Sequence, residues 1–396
     1  MATLMQGFPP AKESQVDLSN WRKAPFNRWA FSHVCEIVPS AIIDNDRDEF
    51  TPFEARMQDL SDFSLQENGG ELKFDDWLEQ TYTDGIVILR KGKLVYEKYF
   101  GELKPNRPHI LMSVSKSVLG LLYGIVAQRQ NLNLNTLVTD ILPEVKDTAY
   151  AGASLRDLLD MRAGVEFDEN YLASSGKIIA YRKAQGWDPF LPCDEKTNLR
   201  EFFGTLKESD GGHNERFHYA SPNTDLLGWA IERVTSVRYT DLLSELIWQP
   251  LGAQEKAYIT VDSTGAPRCA GGLNCTTRDM ARLGRLFVTQ GTANGRQIVP
   301  PQWLKDILTA GSREAWDGGD FYEFYEKRPM HYRSKWYVER GEHPLVFGLG
   351  VFGQNLFIEP QSDLVIAKFS SQPLPLDAKF NSLTHRGIDR LREILR

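Results

Sequence analysis

The stretch Leu111–Gln128, LMSVSKSVLGLLYGIVAQ, decides how this chain is read. From Val118 to Val126 it carries no charge and no proline, the composition of a helix buried on all sides. Directly ahead stands Ser113-Val114-Ser115-Lys116. Residues three apart on a helix share a face, so Ser113 and Lys116 can touch. A serine hydroxyl is a weak nucleophile until a base takes its proton, and a lysine amine beside it is such a base. At a helix N-terminus, unpaired N–H groups also favour developing negative charge. The same letters fit a serine that merely caps a core helix, so the surroundings must separate the two.

The chain supplies its own decoy. Ser174-Ser175-Gly176-Lys177 repeats the spacing. Glycine weakens a helix at that point, and no apolar helical run follows to hold the serine, so this copy is expected in a loop. Ser115 and Ser117 have no lysine three residues on and read as packing or helix-surface residues.

With 396 residues the chain can bury a large core and is expected to hold two lobes. A formal net charge of −7 gives no nucleic-acid footprint. The first ten residues lack a basic segment followed by an apolar one, so no secretory signal is read there. The longest apolar run is about half a membrane span, and no membrane association is expected. Cys35, Cys193, Cys269 and Cys275 are too few for a disulfide framework and contain no CxxC pair, which points to reduced thiols in a cytoplasm. His213 and His218 are five apart, wrong for one helix face, and no HExxH, GxSxG or Walker A pattern occurs. No metal or cofactor is expected.

Along the chain, residues 1–75 are polar with an aromatic island at Trp21, Phe26, Trp29 and Phe31, and read as an arm packed on a core. A short helix near Phe74–Gln80 precedes two strand-like runs, Gly85–Arg90 and Leu94–Phe100, joined by the turn Lys91-Gly92-Lys93. Helices are predicted at Ala153–Met161, Asn223–Val234 and Arg278–Val288, a long surface loop at 162–214, strands at Val351–Ile358 and Leu364–Phe369, and a last helix at Ile388–Leu395. Strands near both ends with helices between imply an α/β (α+β) fold: an antiparallel sheet flanked by helices. The α/β lobe would be built from 76–131 and 235–396, and the inserted α-helical lobe from 132–234. Lobe boundaries are a usual place for a substrate cleft.

This organisation, with Ser113-x-x-Lys116 at the junction, resembles the serine β-lactamase and penicillin-binding-protein superfamily over about residues 80–395. Leu134–Pro143, Leu155–Gly164, Trp248–Gly252 and Gly271–Arg282 look like its habitual landmarks. The resemblance implies that Ser113 is the nucleophile of an acyl transfer. Its second motif, a tyrosine followed two residues later by Asn or Ser, is matched by Tyr219-Ala220-Ser221. Tyr219 would share the base role with Lys116 and protonate the leaving group, its own pKa lowered by the neighbouring ammonium. The strand motif is matched by Gly348-Leu349-Gly350-Val351, where Gly350 lets backbone approach substrate and the N–H groups of Ser113 and Val351 would form the oxyanion hole.

Gly348 stands where many relatives carry Lys or His, which argues against β-lactam hydrolysis and peptidoglycan cross-linking. Glu166 to Asn170 lacks the leucine of the class A β-lactamase glutamate motif and precedes the tyrosine motif, so the class C type fits better.

Within the superfamily, Asn27–Phe31, Leu78–Asp84, Leu111–Ser117 and Gly353–Leu356 are most similar to the nylon-oligomer hydrolases, amidases with accompanying carboxylesterase activity. Asp168–Tyr171 matches their mobile substrate loop and makes Tyr171 a substrate-binding candidate, with Ser221 and Gly350. Arg182 and Ala270 stand where the efficient amidase has an acid and an asparagine lining the substrate, and Phe352 replaces a histidine beside the oxyanion strand. The expected substrate is therefore a small linear amide or ester, with no cofactor; a homodimer fits the same resemblance. A carboxylesterase, a β-lactamase or D-amino-acid peptidase, and an acylated sensor stay open as alternatives. So does the role of the aromatics at 316–337, which either cap a cleft or pack on the core.

Overall fold

Seven antiparallel strands form the larger sheet of the computed structural model, which describes residues 4–67 and 69–396. Their order is Met330–Arg333, Trp336–Glu339, Leu345–Gly350, Gln354–Glu359, Leu364–Ser370, Thr83–Arg90 and Lys93–Tyr99. The two ends of the chain thus meet inside one sheet, with Val365 opposite Leu89 and Ala367 opposite Val87. Successive side chains point to opposite faces. Val87, Leu89, Val365 and Ala367 join the core that surrounds the Ser113 helix. Ile86, Ile88, Leu364 and Ile366 join a second core under the C-terminal helix Ala378–Leu395. A sheet covered on both faces needs apolar residues on both, which is why these strands read as unbroken apolar runs.

A second sheet holds four short strands in the order Ser40–Ile43, Ala257–Thr260, Leu273–Cys275 and His109–Ile110. It fixes where the key helix begins, because the Leu111 N–H donates to Leu273 O at 2.8 Å immediately before Ser113. The helix itself spans Val114–Arg129, and every residue from Val114 to Val126 is buried. Burying side chains such as Leu119, Leu121 and Leu122 contributes about 1.5–3 kcal/mol each. Gly120 has a specific cause: a Cβ there would lie 2.1 Å from Ser334 O, so only glycine lets the helix pass that turn.

The helical segment corrects one expectation. Residues 162–214, read as a surface loop, contain the helices Lys177–Ala184 and Leu199–Phe203. Their apolar faces are short and interrupted by charge, yet Tyr181, Phe202 and Phe203 are buried in the main core. Ser154 with Asp157, and Asn198 with Glu201, form capping boxes that start Leu155–Leu159 and Leu199–Phe203. The predicted helices near 223–234 and 278–288 are present as Pro222–Thr235 and Thr277–Val288.

Two more boundaries move. Val351–Ile358 is not one strand: Val351–Gly353 is a turn, and the strand starts at Gln354. Phe352 at φ +64° and Gly353 at φ +88° reverse the chain there, which extended backbone cannot do. The last helix starts at Ala378 rather than Ile388, its first turn capped by the Asp377 carboxylate. The aromatics of 316–337 pack inward. Trp316, Tyr325, Tyr332 and Tyr337 lie in the second core together with Phe217 and Tyr219.

Candidate active site

Ser113 occupies the N-cap of the buried helix, half-buried, and its own N–H has no partner among the described residues. Lys116, one turn on, donates from Nζ to Ser113 Oγ at 2.8 Å and to Ala270 O at 2.7 Å. The Lys116 side chain is fully enclosed, and burial lowers its ammonium to about 7, against the opposing pull of the Glu169 and Asp225 carboxylates. An amine that is half deprotonated at neutral pH, bonded to a serine hydroxyl, has the properties of a general base.

Ala270 contributes through its backbone. Its N–H donates to Asp225 Oδ1 at 2.7 Å, while its carbonyl accepts a hydrogen bond from Lys116 Nζ. Asp225, on the helix Pro222–Thr235, also holds Arg268 and the Tyr181 hydroxyl. The buried carboxylate therefore orients the peptide that orients the lysine.

Tyr219 lies with its ring centroid 5.0 Å from Lys116 Nζ. Its expected lowering does not occur: burial pushes the phenol above its ordinary value, and Glu169 adds to the push, while Ser113 and Arg268 oppose in part. Tyr219 is thus held as a neutral phenol, whereas burial favours the neutral amine of Lys116. Its backbone is set by Asp320, which accepts the Tyr219 N–H at 2.8 Å and pairs with His218 at 2.9 Å. The Phe321 ring packs 5.1 Å from that of Tyr219. The aromatic segment thus forms the wall behind this tyrosine.

On the other side, Gly350 ends its strand against the residues that lead into Ser113. A Cβ at Gly350 would come within 2.6 Å of Leu111 O, so glycine permits the approach and leaves Val351 at the cleft beside Ser113. Met112 at φ +46° and Phe352 at φ +64° flank the site in the left-handed region, a strain of about 1–3 kcal/mol each that the surrounding packing must hold. Phe352 packs edge-on to Phe31 at 5.2 Å, and its N–H donates to Pro375 O at 2.7 Å.

Ser113, Tyr171, Arg182, Ser221, Ala270, Val351 and Phe352 all line one cleft of about 640 Å³, within the range of small-molecule sites. Tyr171 is half-buried, and its carbonyl accepts Arg182 Nη2 at 2.7 Å. Ser221 is buried, and its N–H donates to Glu169 Oε1 at 2.5 Å. Lys116 and Gly350 stand behind that lining. The sequence did not single out Glu169, Asp225 or Asp320, nor the part of the N-terminal arm, including Trp21 and Arg22, that walls the cleft. Glu169 lay inside the 166–170 segment already noted, but only the fold shows which of its acids faces inward.

The decoy is resolved by position. Ser174 is exposed on a bend, Gly176 has φ +90°, and the Lys177 amine pairs with Glu166 and Glu208. His213 bonds the Gly164 N–H and the Ala151 carbonyl. Among the described residues no cluster of His, Cys, Asp or Glu is arranged to hold a metal ion, and no helix is long and apolar enough to cross a membrane.

Comparison with known proteins places this geometry. The family model described as Beta-lactamase matches residues 74–385. A 6-aminohexanoate-dimer hydrolase of Paenarthrobacter ureafaciens is 36% identical over 377 residues, 93% of this chain and 91% of that protein. A solved structure from Bacillus anthracis, described as a candidate 6-aminohexanoate-dimer hydrolase, is similar with a TM-score of 0.88 and 27% identity over 98% of both chains. EstCE1, a hydrolase with promiscuous acyltransferase activity, shares the fold at a TM-score of 0.61 and 16% identity, over 79% of this chain and 96% of its own. The chain belongs to the Beta-lactamase family and is a serine hydrolase of that fold.

Proposed function

We propose that this chain cleaves linear amides of the 6-aminohexanoate-oligomer class, and carboxyl esters, through an acyl-enzyme on Ser113. The observation that carries the reading is the Lys116 Nζ to Ser113 Oγ bond of 2.8 Å, made by an amine that burial has lowered to about 7. Lys116 takes the hydroxyl proton as Oγ bonds to the carbonyl carbon. The oxyanion accepts from the N–H groups of Ser113 and Val351, donors worth roughly 10²–10³ each in rate. As the C–N or C–O bond breaks, Tyr219 gives its proton to the leaving group and recovers one from Lys116. Water then attacks the acyl-serine by the same route in reverse, releasing the acid.

The cleft supports a linear, mainly apolar acyl chain. Trp21, Trp187, Ile178 and Phe352 line its walls, and Leu172 and Leu374 lie exposed at its edge. Tyr171 and Ser221 are the substrate contacts we assign near the scissile bond. Four free thiols, two of them exposed, support a cytoplasmic setting.

The test is a panel of linear amides, cyclic amides, p-nitrophenyl esters and nitrocefin. Turnover of linear amides and esters that disappears in Ser113→Ala is expected. Nitrocefin turnover exceeding both, or ester turnover unaffected by Ser113→Ala, overturns the proposal.

A further inference from the structure

Arg182 is buried to nine-tenths, lines the substrate cleft, and pairs with no carboxylate among the described residues. Its one protein hydrogen bond is from Nη2 to Tyr171 O, a neutral acceptor, at 2.7 Å. An arginine cannot shed its proton to relieve burial, so an enclosed guanidinium without a counter-ion is suited to receive one. Asp188 and Glu169, the acids nearest to Arg182, share the cleft with Arg22, Lys23 and Arg268, and Arg268 is matched by Asp225. Arg22 occupies Asp188, and the Ser221 N–H holds one oxygen of Glu169. The Nε atoms of Arg22 and Arg268 are buried without an acceptor among the described residues, and the second Glu169 oxygen is buried without a donor.

From this arrangement we infer that the cleft recognises an anionic group on its substrate, a carboxylate, through Arg182. The inference rests on the hydrolase reading and narrows it: of the two charged ends of a 6-aminohexanoate oligomer, the carboxylate completes an ion pair with the guanidinium, and the ammonium must lie away from it. Bidentate geometry and burial make such a pair selective. Arg182 acts here as a specificity residue and takes no part in the bond changes.

The experiment measures binding by calorimetry to Ser113→Ala protein, so that chemistry does not intervene. The probes share one six-carbon acyl chain: hexananilide is neutral, 6-aminohexananilide cationic and adipic acid monoanilide anionic. A fourth, N-hexanoyl-4-aminobenzoate, carries the carboxylate on the leaving-group side. One of the two anionic probes is expected to bind roughly 10- to 100-fold more tightly than hexananilide, and which one locates the anion along the cleft. The cationic probe should bind most weakly. Arg182→Gln, added to the Ser113→Ala background, should erase the ratio of anionic to neutral binding, and Arg182→Lys should keep part of it. If Arg182 only props the Tyr171 carbonyl, all four probes weaken together and the ratio survives, which overturns the inference. So does a parent in which anionic and neutral probes bind alike or the cation binds best. Turnover of the same anilides by the Ser113 protein is scored separately, so selective binding without hydrolysis would sink the hydrolase reading and spare this one.

Discussion

Two serines in this chain stand three residues ahead of a lysine, and the fold treats them in opposite ways. Lys116 is fully enclosed, bonds Ser113 Oγ at 2.8 Å, and is lowered to about 7 by burial. Lys177 lies near the surface; slight burial pulls its amine down, but its bonds with Glu166 and Glu208 outweigh that and raise it. One lysine is therefore a base near neutral pH, and the other is a permanent cation. The spacing is shared. What differs is the helix that follows each, apolar and buried after Ser113, short and half-exposed after Gly176. Burial, more than the motif, makes the chemistry.

Removing the nucleophile should separate the two copies most sharply. Ser113→Ala is expected to lower kcat/KM on a linear amide by about 10⁴–10⁶. Lys116→Met should cost about 10³–10⁴, and it tests burial directly as well. In the parent, kcat/KM should fall about tenfold per pH unit below about 7, where Lys116 is protonated and no longer a base. Because the folded value lies below the ordinary 10.5, the unfolded chain binds more protons between the two, and stability rises as pH climbs through that window. Lys116→Met should lose this dependence and unfold at higher urea at pH 7, by up to about 4 kcal/mol less what the two lost hydrogen bonds contribute. A variant that is inactive but no more stable would show that the amine is not held against its ionisation.

Tyr219→Phe should come next, with a loss of about 10² in kcat and little change in KM, since the phenol carries a proton and does not anchor substrate. The smallest effects belong to the decoy. Ser174→Ala and Lys177→Ala should leave kcat/KM within about twofold and stability within about 1 kcal/mol, as expected where only partly exposed ion pairs are lost. A tenfold loss from either would erase the distinction.

Much of this was legible in residues alone, and the part that was not has a common cause. The run Val118–Val126 announced a buried helix because nothing in it tolerates water, and Ser113 and Lys116 followed from its start. Tyr219 and Gly350 were found by resemblance to a known pattern, and the structure brings both to the Ser113 corner. The direction of the Tyr219 pKa was misread because it depends on burial and on Glu169, fifty residues earlier in the chain. Asp225 and Asp320 left no local signal, since each acts on a backbone group from a distant segment: Ala270 in one case, Tyr219 in the other. Val351–Gly353 reads as strand because the letters are apolar, whereas Phe352 turns at positive φ with its N–H bonded to Pro375 O and its carbonyl accepting from the Gln372 N–H, partners that lie about twenty residues on.

The central claim is that Ser113, and not its twin, forms the covalent intermediate. Acid quench of the enzyme during p-nitrophenyl hexanoate turnover, followed by peptide mass spectrometry, reads this directly. A hexanoyl group on the peptide that contains Ser113, absent from the Ser174 peptide and from Ser113→Ala protein, is the predicted result. Acylation at Ser174, or undiminished turnover by Ser113→Ala with no label on the parent's Ser113, would contradict the account.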